Sequence, residues 1–186
     1  MSRHGVRRNR VDELGVSSSV TTGEVDAATG DVADLYAATG RRLVGLLVSA
    51  GATPALAEDL LQEAYARLVP RWDAVQHYDN PEAWVRAVAL RLYLSHERRA
   101  RLFHRRAPVL QSPAVGDGPT PDRVAVEAAL AQLPLQQRVV VVLHYLVDLS
   151  VDDIATTLKI PAGTVKSRLS RARAHLAHVL GEGSDE

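Results

Sequence analysis

The sequence predicts an all-α protein made of two small helical domains joined by a flexible linker. Three observations carry that expectation. From Asp31 onward, apolar residues recur at spacings of three and four, the helical period. No segment alternates apolar and polar residues long enough to read as a strand; Val139–Val142 is β-branched but lies inside a longer helical pattern. Residues 107–122 interrupt the pattern with four prolines, two glycines and no basic residue, the composition of a linker.

Each element has its own start or stop signal. Residues 1–30 are rich in Ser, Thr, Gly and Asp without periodicity, and are expected to be disordered. Their basic beginning (Arg3, Arg7, Arg8, Arg10) is followed by no apolar stretch, so it does not read as a secretory signal. A first helix is expected over about 31–50, closed by Gly51. Thr53-Pro54 reads as an N-cap and first-turn proline, opening a second helix to about Val69. A short piece follows around Arg71–Gln76. Asn80-Pro81-Glu82 then supplies cap, proline and first-turn carboxylate for a fourth helix, and the first domain closes near residue 106. The second domain, 123–181, holds three or four more helices, and 182–186 form an acidic tail. There is no internal repeat.

Composition narrows the function classes. The absence of cysteine excludes a disulfide framework, thiolate zinc sites, iron–sulfur ligation and cysteine catalysis. It fits a cytoplasmic location. No run approaches the roughly 18 apolar residues of a membrane span, so membrane insertion is not expected. Aromatics, at 4%, are too sparse for an aromatic stacking platform. Lys+Arg and Asp+Glu are 22 each, and this neutral total argues at first sight against a nucleic-acid binder.

The charge is nevertheless segregated. Seven arginines (86, 91, 98, 99, 101, 105, 106) and one acid, Glu97, lie between residues 86 and 106. Between Gly163 and Gly181 stand Lys166, Arg168, Arg171 and Arg173 and no acid. The acids cluster elsewhere: Glu58, Asp59 and Glu63; Asp73, Asp79 and Glu82; Asp148, Asp152 and Asp153. Local patches, not the sum, set binding. On the fourth helix Trp84, Val85, Val88 and Leu92 share one side, and Arg91, Arg98, Arg101 and Arg105 fall on a neighbouring stripe. Such a row of guanidiniums suits a phosphate backbone; a merely solvated face is the bland alternative.

The C-terminal part carries the most specific pattern. Ser150-Val151-Asp152-Asp153 is a variant capping box, opening a short helix with Ile154, Ala155 and Leu158 inward. Lys159 to Gly163 reads as a turn with a helix-stopping proline, and a second helix is expected from Thr164 to about Leu180. Its inward stripe is Val165, Leu169, Ala172 and Leu176; its opposite face carries Lys166, Ser167, Ser170 and Arg171. Two short helices, a turn and a basic polar second helix make a helix-turn-helix, whose second helix enters the DNA major groove. An ordinary amphipathic hairpin is the plain alternative.

At this point the chain resembles a known family. The run LPLQQRVVVVLHYLVDLSVDDIATTLKIPAGTVKSRLSRARAHL (133–176) is similar to region 4 of the bacterial sigma-70 family, of the extracytoplasmic-function (ECF) type. Gly163-Thr164-Val165-Lys166-Ser167-Arg168-Leu169 with Arg171-Ala172-Arg173 is its most specific part. Ala57-Glu58-Asp59-Leu60-Leu61-Gln62-Glu63-Ala64-Tyr65 resembles the family's region 2.2, and Ala83-Trp84-Val85 through Arg98-Arg99 its regions 2.3 and 2.4. The likeness covers about residues 31–181, and two domains with none recognisable between them is the ECF layout.

The resemblance implies a sigma factor that binds core RNA polymerase and directs it to promoters, not an enzyme, with no cofactor, metal or catalytic residue. It implies that Thr164, Lys166, Ser167, Arg168, Ser170 and Arg171 read the −35 element as duplex, with Ser170 a candidate specificity position. It implies that Trp84, Arg91, Arg98, Arg99 and Arg101 serve the −10 element as the strands separate, and that Asp59, Gln62 and Glu63 dock on the polymerase. The chain departs from the pattern at Leu90-Arg91, where Arg-Asn is usual and the Asn helps hold a flipped-out base. It departs again at Ser95, where Asp is common. Both imply an altered −10 preference. The layout is compatible with control by an anti-sigma factor, as in many relatives. The alternative is a helix-turn-helix regulator that does not replace sigma, but residues 31–106 lack the alternating strands of a receiver domain. An enzyme would need more than His175 and His178, three apart on a helix with no third ligand cluster. A helical adaptor using only the acidic faces would leave the basic stripes unexplained.

Overall fold

The structure is a computed structural model that describes residues 22–103 and 121–182. The expectations for residues 1–21, for most of the 107–122 linker, for Arg105 and for residues 183–186 lie outside these. Among the described residues there are α-helices, one 3₁₀ turn and no strand. The order is α1 (Thr22–Ser49), α2 (Pro54–Leu68), a 3₁₀ turn (Val69–Arg71), α3 (Trp72–Val75), α4 (Pro81–Phe103), α5 (Pro121–Gln132), α6 (Leu135–Tyr145), α7 (Val151–Leu158) and α8 (Ala162–Glu182).

Side-chain caps start three of these helices. The Thr53 hydroxyl accepts from Leu56 N–H at 3.2 Å and starts α2 on Pro54. Asn80 Oδ1 accepts from Ala83 N–H at 3.1 Å at the head of α4. Ser150 Oγ accepts from Asp153 N–H at 3.1 Å and donates to the Asp153 carboxylate at 2.6 Å, so the capping box closes through two side chains. Gly51 takes φ +111°, a left-handed conformation that glycine adopts without a Cβ clash, and reverses the chain between α1 and α2.

Three boundaries differ from expectation. Helix α1 begins at Thr22, not near Asp31, so residues 22–30 are helical rather than disordered. Extending a helix that tertiary packing already holds costs little per residue, no proline intervenes, and Gly30 weakens the run without ending it. Helix α5 begins on Pro121, so the last two linker residues are its first turn. Helix α8 begins at Ala162, not Thr164. Pro161 does not stop a helix there: its carbonyl accepts from Thr164 N–H at 2.8 Å and Val165 N–H at 3.2 Å, the first bonds of α8. The turn itself is made by Lys159, left-handed at φ +54°.

Helices α1, α2 and α4 pack on one another, joining Leu43, Leu47, Leu61, Leu68, Val85 and Leu90 in a core. Helix α8 packs on α5, α6 and α7 around Val139, Val140, Leu143, Ile154, Val165 and Leu169. Each such side chain contributes about 1.5–3 kcal/mol by leaving water. The two assemblies also touch: α4 packs against α7. Tyr93 is almost fully buried, its hydroxyl donating to Ala50 O at 3.4 Å near the Gly51 turn that Arg138 of α6 also approaches.

Candidate nucleic-acid interface

Helix α8 is divided by its own period. Val165, Leu169 and Ala172 are buried, and Leu176 is half-buried against the same core. Lys166, Ser170 and Arg171 are exposed on the other side; Thr164, Ser167 and Arg168 are partly covered. Ser167 Oγ donates back to Thr164 O at 3.0 Å, which steadies the first turn. Arg168 stands at the margin, its pKa lowered first by burial and then by repulsion from Arg171. No acid lies in α8 before Glu182, so this face presents cations and hydroxyls only. Those groups donate to guanine acceptors and phosphates and tolerate several bases.

Arg173, one turn further, donates its Nε–H to the Tyr145 hydroxyl at 2.7 Å, with the guanidinium 5.9 Å from that ring's centre. The site prediction from sequence left Arg173 out, because nothing in its spacing signals a partner on α6.

Helix α4 carries the second basic stripe. Arg98, Arg99 and Arg101 are exposed. Arg91 is half-buried: its guanidinium donates to Thr157 O at 3.3 Å, and burial lowers its pKa. Trp84 is only 9% exposed and belongs to the core of the first half. Arg86 is 7% exposed; burial lowers its pKa, and the Glu82 and Asp153 carboxylates oppose that shift. Sequence counting placed Arg86 in the basic run, but its phase puts it inside. A cleft of about 470 Å³ opens beside this helix, lined by Arg91, Ser95, Arg98 and Arg101 on α4 and by Gln136 and Leu158 opposite.

The third surface is acidic. On α2, Ala57, Leu60, Leu61, Ala64, Tyr65 and Leu68 are buried, which leaves Asp59, Gln62 and Glu63 exposed together. Glu63 pairs with Arg67 one turn on at 2.8 Å, both half-exposed, a contact of little net energy. Among the described residues, no group of His, Asp and Glu is placed to hold a metal ion.

Residues 35–103 match the family model for sigma-70 region 2, and residues 123–176 that for sigma-70, region 4. The RNA polymerase sigma-E factor of Streptomyces coelicolor is 33% identical over 129 residues, which are 68% of this chain and 73% of that protein. The chain belongs to the sigma-70 family, in its ECF group. The ECF RNA polymerase sigma factor SigM of Mycobacterium tuberculosis is 34% identical over 127 residues, and SigW of Bacillus subtilis 30% over 140. Each match takes 67% of this chain, against 64% of SigM and 75% of SigW, so the chain spans just under two thirds of SigM's length. Among solved structures, the sigma factor RpoE in complex with the anti-sigma factor NepR from Bartonella quintana aligns with TM-score 0.68 at 24% identity. That alignment covers 81% of this chain and 97% of that one. CnrH in complex with the cytosolic domain of CnrY gives 0.57 at 23%, over 88% and 96%. Both show the fold. In the family's terms, α1 to α4 are region 2 and α5 to α8 are region 4, with α7 and α8 its helix-turn-helix.

Proposed function

We propose that this chain is a transcription initiation factor that binds core RNA polymerase and directs it to promoters. The observation that supports this most is helix α8: its buried stripe fixes the helix, and its free face offers Lys166, Ser170 and Arg171 without an acid among them. That is the chemistry of a major-groove reader of the −35 element. Thr164, Ser167 and Arg168 flank it, placed for the backbone and the groove edge.

Region 2, within 31–106, serves the −10 element through Arg91, Arg98, Arg99 and Arg101 as the strands separate. Trp84, being buried, acts by holding α4 in place rather than by stacking on an exposed base. Capturing an unstacked base favours the open strand, so melting needs no nucleotide hydrolysis. Asp59, Gln62 and Glu63 dock on a basic surface of the polymerase by complementary charge and hydrogen bonds. No helix among the described residues is long and apolar enough to cross a membrane, and a cytoplasmic site of action follows from the polymerase partner. Of the structural neighbours above, one is in complex with the anti-sigma factor NepR and another with the cytosolic domain of CnrY, which supports an anti-sigma factor as a further partner.

The test is reconstitution. Purified chain and core polymerase are mixed and run over a genomic library in multi-round transcription. Co-elution with core and a set of transcripts sharing a −35 and −10 pattern is expected. Absence of both would overturn the reading in favour of a regulator that does not replace sigma.

A further inference from the structure

Of the 22 basic residues, 20 are arginine and two are lysine. Apart from the chain's own amino terminus, Lys159 and Lys166 are therefore its whole supply of amine nucleophiles. A guanidinium keeps its proton and does not attack an acyl carbon; an ε-amine does. Both lysines lie in the helix-turn-helix, Lys159 at the end of α7 and Lys166 early in α8, and both are exposed. Among the described residues, neither ε-amine is held in a hydrogen bond or an ion pair.

The surroundings of the two amines differ in sign. Lys166 shares a stripe of α8 with Ser170 and Arg173, at spacings of four and three, and Arg168 and Arg171 flank that stripe. No acid lies in α8 before Glu182, and the start of a helix adds partial positive charge of its own. A small anion is drawn to this face by the same field that draws a DNA phosphate. Lys159 instead caps the carbonyl end of α7, whose dipole is negative there and whose first turn carries Asp152 and Asp153. An anionic reagent thus meets one amine in an attracting field and the other in an opposing one.

We propose that Lys166 is an acylation site, at which an anionic donor of the acyl phosphate class silences reading of the −35 element. The silencing rests on the proposed function; the selectivity for Lys166 does not. The ammonium first gives a proton to water. The free amine then attacks the acyl carbon, the C–N bond forms and the C–O bond to phosphate breaks. Inorganic phosphate leaves with the amine's second proton, and nothing is oxidised or reduced. The product is a neutral amide, which has lost the charge and the ammonium donors that suit guanine and phosphate oxygens. The arginines of α4 and α8 do not react, so one new bond changes the reading face and leaves the other basic face as it was.

The full chain is incubated with acetyl phosphate, desalted and read by peptide mass spectrometry. Lys166 should carry several-fold more acetyl than Lys159 at early times. That excess should shrink toward parity with acetic anhydride, which is uncharged, and at 1 M salt, where charges are screened within about 3 Å. Equal labelling by acetyl phosphate, or the same excess with the uncharged donor, would overturn the site. The desalted chain is then mixed with core polymerase. Transcription from a promoter that needs its −35 element should fall about tenfold at full occupancy of Lys166, the scale of one lost contact. Lys159→Arg, which removes the other amine, should show the same fall. Lys166→Arg keeps a cation without an amine, so acetyl phosphate should not lower its transcription from whatever level it starts. A fall in treated Lys166→Arg as large as in the parent chain would overturn the silencing. Selective labelling of Lys166 in a chain that yields no promoter transcripts with core polymerase would leave the acylation site standing and sink the proposed function instead.

Discussion

Arg171 is the most informative single side chain. It is exposed on α8, its neighbours Ala172 and Leu169 are buried, and no carboxylate is beside it on the helix. Arg171→Ala should cut transcription at cognate promoters by about 5- to 150-fold, the range of one lost base or phosphate contact of 1–3 kcal/mol. Affinity for core polymerase should not change. Equal loss of both would mean that the variant misfolds. Tyr93 makes a second prediction at this scale. Burial pushes its phenol above the ordinary 10.0, and the Glu97 carboxylate adds to that shift. The folded chain therefore keeps a proton that the unfolded chain loses. Its contribution is fully present below pH 10.0 and is lost as the pH climbs beyond it. Urea midpoints measured at increasing alkaline pH should fall, and the fall should be shallower in Tyr93→Phe.

At the scale of elements, much was legible beforehand. Thr53, Asn80 and Ser150 announce their helices because a short side-chain acceptor before an apolar period has few other uses, and all three make the expected bonds. The stripe of α8 was equally readable, since a single period sorts Leu169 from Ser170. What escaped was the meaning of particular residues. Pro161 looked like a stop and is a start, because proline fits the approach to a helix as well as its end. Arg86 counted as surface charge but is buried, and Arg173 lacked its Tyr145 partner, because contacts between elements leave no trace in local spacing. Two predictions belong here. Ser150→Ala should destabilise the chain by about 1 kcal/mol in thermal unfolding, by removing the acceptor for Asp153 N–H. Asp59→Lys with Glu63→Lys should weaken core polymerase binding at least tenfold while helicity stays constant, since both residues are exposed. Unchanged affinity would refute the docking face.

For the whole molecule, a net charge of zero hides opposed surfaces: basic faces on α4 and α8, and an acidic one on α2. The faces carry opposite signs, so the sum says nothing about any of them. A chain that is neutral overall and has part of one basic face covered should bind duplex DNA weakly alone, at micromolar or weaker dissociation constants at physiological salt. Tight promoter binding should appear only with core polymerase present, measured by anisotropy across a salt series. Salt-insensitive, nanomolar binding by the free chain would contradict this.

Gly51 links these surfaces to time. The turn at residue 51 leaves room that the side chain of residue 138 fills, yet the two residues are not made together. At 5–20 residues per second, the 87 residues added after Gly51 up to and including Arg138 (138 − 51) take about 4–17 s to synthesise. Through that interval the first domain can fold on the ribosome with its left-handed turn already set and its basic helix uncovered. The first domain thus has that interval to settle before the side chain that fills its turn has been made.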